Sequence, residues 1–340
     1  MIGLIIALLE HGVHVAVVTA AGYPGDARAH ERRMAGLLEA FAARGVSPAA
    51  QRRFLVMGGE CNYLLEVDPD ADPSSSTSNA EERDGDGVGA ADAYYGAPTA
   101  DAADGLPMAR LRFVDDRLWK TADMLAWPTH EVVALLDSAE ALLREHAARL
   151  SVQCQVMRKE RAVGILPSSP VLYEVLEEIA ISVDLGLQAA GFGPGALAAL
   201  DGLGPTSSGS DMGLGGVGVP VGRRGERPDA PSGSDIGMVA PAGLSGATSQ
   251  PRVVVPFCAF NGGNDVFVDI GDKSHGLTAL KRYVGARAAT TLHVGDRFTR
   301  SGNDAATRDV CCILWVACPE ETSFFLRLLL DDVVRRETGG

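Results

Sequence analysis

Apolar and polar positions recur along this chain with two periods, and the switches between them mark out its elements. Residues 2–11 (IGLIIALLEH) are apolar on almost every side and Gly12 stops them, which predicts the end of a buried helix. The run VHVAVV at 13–18 is short and β-branched and is closed by TAAGYPG, so a strand and a loop follow. DARAHERRMAGLLEAFAARG (26–45) has helical spacing and a terminal glycine, and RRFLVMGG (52–59) is a second strand that ends in glycines. Helix, strand, loop, helix, strand is the alternation that builds a parallel sheet. The pattern resumes with helix over 116–150, where HEVVALLDSAEALLREHAARL is strongly amphipathic, a strand at 161–167 and a helix at 171–191. The last ninety residues predict strands at 252–259 and 265–270, a helix near 276–285, strands at 290–294 and 311–317, and a closing helix at 319–336.

Two stretches carry neither period. Residues 67–105 hold ten acids against one arginine, a net of −9, and almost no large aliphatics; residues 201–250 are rich in Gly, Ser and Pro. Both compositions predict disorder, because neither buries enough apolar surface to offset chain entropy. The match of GLGGVG (213–218) to GxGxxG is therefore compositional, since no strand precedes it and no helix follows.

Charge then narrows the partners. The 340 residues carry a formal net charge of −14, of which −9 sits in the first low-complexity block, leaving −5 for the rest. Nucleic acid and anionic membrane are repelled rather than drawn in. The opening apolar run lacks a basic flank and is broken by Glu10, His11 and His14, so it predicts neither a signal peptide nor a membrane span. The six cysteines show no CxxC pair and sit in apolar runs, which predicts buried, reduced thiols and a cytoplasmic protein.

In open parallel sheets, ligands sit off the carboxyl ends of the strands. Thr19 directly follows one predicted strand and Asp296 another, while Lys273 stands between Gly271 and Gly276 at the mouth of a helix. A hydroxyl, a lysine and carboxylates together suit a phosphate and Mg²⁺. Singly they suit a turn, a solvated helix start and a second turn; their order along the sheet favours the site. The histidines fall singly, so His293 is expected to be packed rather than to ligate metal.

The succession VVTAAGY, VMGGE, RAVGILP, FCAFNGGNDVFVDIGDKSHG, TLHVGDRFTRSGND and LWVACPEET resembles the IMP-specific 5′-nucleotidases, a family of the haloacid dehalogenase-like, Mg²⁺-dependent phosphohydrolases. The resemblance covers residues 1–66, about 107–190 and 251–332 and lapses across the two low-complexity blocks. It implies an α/β protein with a three-layer Rossmann-like core formed by residues 1–60 and 271–340. An α+β cap at 61–270, carrying the inserts at 67–105 and 201–250, would sit between them. It implies hydrolysis of IMP to inosine and phosphate with Mg²⁺. Thr19 resembles the hydroxyl that binds the substrate phosphate, Asp265 a substrate-contacting acid, Lys273 the lysine that steadies the phosphoryl group, Asp296 a metal ligand and Asp304 a supporting acid that orients water. For full-length members it also implies regulation by ATP, and it leaves room for a homo-oligomer.

One departure from the family changes the expectation for activity. The nucleophile of this superfamily is the first Asp of a DxDx(T/V) motif on the strand that precedes the first helix here, and no such motif stands before Ile2. The expected consequences are a core without its central strand and a chain that is inactive by itself. The rival expectation is a non-catalytic remnant that still binds a nucleotide or a partner.

Overall fold

The computed structural model describes residues 1–20, 22–59, 61–68, 70–71, 108–193 and 254–339. These fall in one compact unit, Met1–Ala198 with Val253–Gly340. The low-complexity block 201–250 lies wholly outside the described residues; of the block expected over 67–105, only residues 67, 68, 70 and 71 are described, and Val67 and Asp68 are ordered at the end of a strand rather than part of the tract.

The chain opens with α1 (Ile2–Glu10), halted at Gly12 with φ of 81°, and β1 (Val15–Val18) follows. The helix expected over 26–45 is two: α2 (Ala27–Arg33), capped by Asp26 on the Ala29 amide, and α3 (Ala35–Ala43). Met34, at φ −104° and ψ 9°, breaks them; the run of apolar spacing passes through the break and hides it. A single turn, α4 (Pro48–Gln51), leads into β2 (Phe54–Gly58), every residue of which is buried. β1 and β2 pair in parallel, as the alternation predicts. Two antiparallel strands extend that sheet, β3 (Tyr63–Asp68) and β4 (Arg110–Phe113), in the order β1-β2-β3-β4. Neither was evident in the pattern, because each adjoins the acidic block and is short.

Three helices follow: α5 (Asp116–Trp119), α6 (Ala122–Ala126) and the long α7 (Thr129–Arg149). α7 buries Val132, Leu135, Leu136, Ala139, Leu143 and Ala147, a stripe at spacings of three and four. Then come β5 (Cys154–Arg158), β6 (Ala162–Pro167), α8 (Tyr173–Ala189), β7 (Phe257–Asn261) and β8 (Val266–Ile270). The four strands form an antiparallel sheet in the order β5-β6-β8-β7. β6 and β8 are its centre, and both are buried along their whole length. One face is covered by α7 and α8 through Val163, Ile165, Val266, Val268 and Ile270, in the largest core cluster. A second core gathers Ile6, Leu9, Leu38, Phe41, Phe54 and Val56 between α1, α3 and β2.

The chain closes with α9 (Lys273–Val284), β9 (Leu292–Gly295), β10 (Cys312–Trp315) and α10 (Pro319–Thr338). α9 starts three residues earlier than its apolar spacing suggests, because Asp272 caps it. β9 and β10 pair in parallel. α1 packs beside α10, with His11 Nδ1 2.7 Å from Glu337 Oε2. All six cysteines are free. The expectation that they are buried holds only for Cys61, and Cys312 is exposed on the thinly covered β10.

Polar burial ties α2 to the sheet edge. Glu31, 3% exposed, accepts from Arg28 Nη1 at 3.1 Å, Arg110 Nη1 at 3.2 Å and the Leu111 amide at 2.8 Å. Loss of the carboxylate partner of a largely buried arginine such as Arg110 costs about 3–5 kcal/mol, while solvent screens the more exposed Arg28. Glu31→Ala is therefore expected to lower the unfolding free energy by that much, read from urea melts as a lower midpoint at unchanged m-value. A loss under about 1 kcal/mol would show that the cluster is solvated, like an ordinary surface pair.

Candidate functional site

Three strand ends and one helix start converge on a cavity of about 300 Å³. Thr19 and Ala20 enter it from the end of β1, where the Thr19 amide still donates to Met57 O of β2 at 2.9 Å. Asp296 and Arg297 enter from the end of β9, and Asp265 precedes β8. Lys273 comes from the first turn of α9. Its position is fixed by Asp272, whose Oδ1 accepts from the Ser274 amide at 2.8 Å and the His275 amide at 3.0 Å. Burial opposes ionisation of Asp272, but the bonds from His275 and Ser274 outweigh it and hold its pKa below the usual value. Gly276 lets the helix lie against Cys61, since a Cβ there would collide with the cysteine side chain.

Behind the cavity wall lies a buried charge cluster. Lys273 Nζ donates to Asp304 Oδ1 at 2.7 Å, with side-chain exposures of 11% and 3%. Asp304 Oδ2 accepts from the Arg297 amide at 2.9 Å, and the Asp304 amide donates to Arg297 O at 3.1 Å. His293 Nε2 stands 3.3 Å from Asp304 Oδ1, and its Nδ1 is 2.6 Å from Thr307 Oγ1. Burial alone would raise the Asp304 pKa; the bond from His293, the Lys273 charge and the Lys273 and Arg297 N–H groups together drive it well below the ordinary carboxylate range.

The glycines of the 291–304 stretch are explained by this cluster. A Cβ on Gly295 would run into the Asp304 carboxylate, and one on Gly302 into the Arg297 carbonyl. The loop 296–304 is also tied to β7 and α8. Arg297 Nη1 donates to Asn261 O at 2.9 Å and its guanidinium lies 5.6 Å from the Tyr173 ring centroid. Ser301 Oγ bonds Glu177.

Thr19, Asp265, Lys273 and Asp296, singled out from sequence, thus all line one cavity, and Asp304 supports Lys273 from behind. His293 packs against Phe298, as expected for a buried ring, and it also pairs with Asp304. The sequence reading missed Arg33, Lys159 and Arg297 as lining residues. Arg297 could have been found, since it adjoins Asp296 in the strand-end motif. Arg33 and Lys159 sit in ordinary polar contexts and carry no signal. The lining cations (Arg33, Lys159, Lys273, Arg297) number four against three carboxylates (Asp265, Asp269, Asp296), so the cavity does not share the acidity of the chain.

Mg²⁺ takes hard oxygen ligands, usually one or two carboxylates completed by water and substrate phosphate. Asp296 fits that use: it is exposed at the strand end, and its carbonyl is anchored by Trp315 Nε1 at 3.0 Å. Asp304 does not, because its oxygens serve Lys273, His293 and Arg297. Among the described residues no group of three or more His, Cys, Asp or Glu gathers as a metal site. Of the three carboxylates that line the cavity, Asp265 and Asp269 are buried and Asp296 is exposed.

Comparison with known proteins adds the family context. Residues 1–83 and 102–326 match the family model described as IMP-specific 5′-nucleotidase. The IMP-specific 5′-nucleotidase 1 of Gibberella zeae is 33% identical over 336 residues, an alignment covering 95% of this chain and 59% of that protein. That of Neurospora crassa is 31% identical over 328 residues, covering 93% and 54%. The chain thus spans little more than half the length of these curated relatives. An IMP-bound mutant of the Plasmodium falciparum IMP-nucleotidase superposes with a TM-score of 0.60 at 23% identity, over 96% of this chain and 61% of that one. The ATP-bound form of that enzyme gives 0.58 at 23%, over 97% and 54%. These likenesses establish the fold as the mixed α/β fold of those structures. Among the described residues no helix is long and apolar enough to cross a membrane.

The charge cluster yields a pH-dependent expectation. Asp304 has a depressed folded-state pKa, so its stabilisation is complete above the unfolded value of about 3.9 and is lost as pH falls through the folded value. Asp304→Asn removes the carboxylate charge that faces buried Lys273 and should cost about 3 kcal/mol at pH 7. The gap between wild type and variant, read from urea melts, should stay constant from pH 7 to about pH 5 and narrow only in stronger acid. A gap that closes near pH 6 would mean that the carboxylate is not held ionised by its neighbours.

Proposed function

The chain belongs to the family of IMP-specific 5′-nucleotidases, and from that premise we propose that its cavity binds IMP as part of a Mg²⁺-dependent phosphohydrolase that yields inosine and phosphate. The observation that carries this reading is the Lys273–Asp304 pair at the cavity wall, with Thr19 and Asp296 at neighbouring strand ends. A phosphate monoester needs a cation and a hydroxyl at its oxygens. Lys273 supplies the first, held in one orientation by Asp304, and Thr19 the second. Asp296 would hold Mg²⁺, which when bound neutralises phosphoryl charge and orients the group for in-line attack. Asp265 and Arg297 border the same space and would contact the nucleotide.

In this reading residues 1–60 and 271–340 are the core and 61–270 the cap, entered through β3 and β4, which carry the core sheet onward. The cap elements α8 and β7 hold the 296–304 loop through Glu177, Asn261 and Tyr173, so in this reading they would help to exclude water from the reacting group. The acidic surface and free thiols suit the cytoplasm. Regulation by ATP belongs to the same proposal for longer members of the family.

No Asp-x-Asp pair ends a strand of the described fold next to Thr19 and Asp296. We therefore expect the 340-residue chain to bind IMP without hydrolysing it. Calorimetric titration should show binding strengthened by Mg²⁺. Lys273→Met should weaken binding at least about tenfold, the effect of losing a charge-assisted hydrogen bond. Asp296→Asn should remove the Mg²⁺ dependence while leaving metal-free binding intact. Phosphate release with Mg²⁺ should match the blank. Turnover that vanishes in Lys273→Met would show that an acid of this chain acts as nucleophile, and binding indifferent to Lys273→Met would sink the phosphate assignment.

A further inference from the structure

The cavity has a second end that the phosphate chemistry does not use. Alternation along β8 turns Val266, Val268 and Ile270 towards α7 and α8, and Phe267 and Asp269 to the opposite face. That face carries a small separate cluster of Met157, Ala162, Leu166, Phe260 and Phe267, against which Ala20 packs. The rings of Phe260 and Phe267 lie near parallel, 25° apart at 6.5 Å. Opposite Phe267 in the register stands Gly164, where a Cβ would lie 2.5 Å from the ring. The glycine thus lets the ring lie flat across the sheet. Over the ring, 5.5 Å from its centroid, sits Lys159 Nζ from the turn between β5 and β6. Phe267 and Lys159 both line the cavity that Lys273 and Thr19 share.

From this arrangement, and resting on the reading of the cavity as a nucleotide site, we infer that Phe267 is the seat of the nucleobase and that Lys159 reads its six-position. An ammonium over a ring face occupies a place that a planar base also fits, since both are drawn to an aromatic face. A 6-oxo purine offers two acceptors there, O6 and N7, and an ammonium can donate to them; a 6-amino purine turns a donor towards the same cation. A site built to hydrogen-bond one group rejects the analogue that cannot accept the bond. Lys159 is then a specificity-determining residue, and Lys273 serves the phosphate of any 5′-nucleotide alike.

The test is calorimetric titration of the full chain with IMP, AMP and ribose 5-phosphate. Wild type should bind IMP more tightly than AMP. Phe267→Leu should weaken IMP and AMP by about tenfold, the effect of losing one stacked base, and leave ribose 5-phosphate unchanged. Lys159→Met should bring IMP down to the level of AMP, again without touching ribose 5-phosphate. Equal weakening of all three ligands, or no change for IMP, would overturn the inference. Should Phe267→Leu fail to fold, as judged by its circular dichroism melt, the half-buried Lys159 decides alone. If wild type binds ribose 5-phosphate as tightly as IMP, the phosphate reading stands and the base seat falls; if it binds none of the three, both fall together.

Discussion

The ion pair between Lys273 and Asp304 is the contact around which the site is organised. At 2.7 Å and almost fully buried, it is a poor source of net stability, because removing two charges from water offsets most of their attraction. What it does supply is position. Asp304 can keep its charge only where His293, Lys273 and the Arg297 amide all reach it, so the end of β9, the loop after it and the start of α9 must meet at one point. Each of those elements is then tuned to the meeting. Asp272 caps α9 so that Lys273 falls in its first turn, and Gly295 and Gly302 carry no side chain because the carboxylate and the Arg297 carbonyl occupy that space.

The pair also explains how an acidic protein presents a cavity suited to an anion. Asp304 spends its charge behind the wall, while its partner lysine lines the cavity, so the charge balance seen by a ligand differs from that of the chain. Asp296, one residue past Gly295, is exposed where Asp304 is buried. Two aspartates eight residues apart in one loop thus stand in opposite surroundings, one buried among His293, Lys273 and the Arg297 amide and one exposed.

Much of this was legible in the sequence. The β-branched runs before Thr19 and Asp296 gave their strand ends away, and the parallel pairing of β1 with β2 and of β9 with β10 follows from the alternation. The break at Met34 was invisible because Ala and Leu spacing continues across it. β3 and β4 were hidden because a strand of four to six residues beside an acidic tract has too few positions to establish a period of two. Arg33 and Lys159 were unreadable for a different reason. A lone cation on a helix or in a turn is ordinary in sequence, and only the fold brings it to a cavity whose lining is drawn from distant parts of the chain. Strand-end chemistry is local and can be read; charges recruited across the fold cannot.

The two ends of the cavity rest on different kinds of scaffold, and this division bears on specificity. Lys273, Thr19 and Asp296 stand at the ends of parallel strands and at a capped helix, where charge is fixed by burial and backbone geometry. Phe267, Phe260 and Lys159 belong to an antiparallel sheet whose other face is a conventional apolar core. The tolerance of the two ends to change should differ accordingly. A substitution at the first end disturbs a buried charge and is felt through Asp304 in the loop, the helix and the strand together. A substitution of Lys159, half-buried in a turn, alters what the aromatic wall accepts and leaves the charge cluster untouched. On the proposed reading of the cavity, a fold built this way can keep its phosphate chemistry while changing the base that it reads.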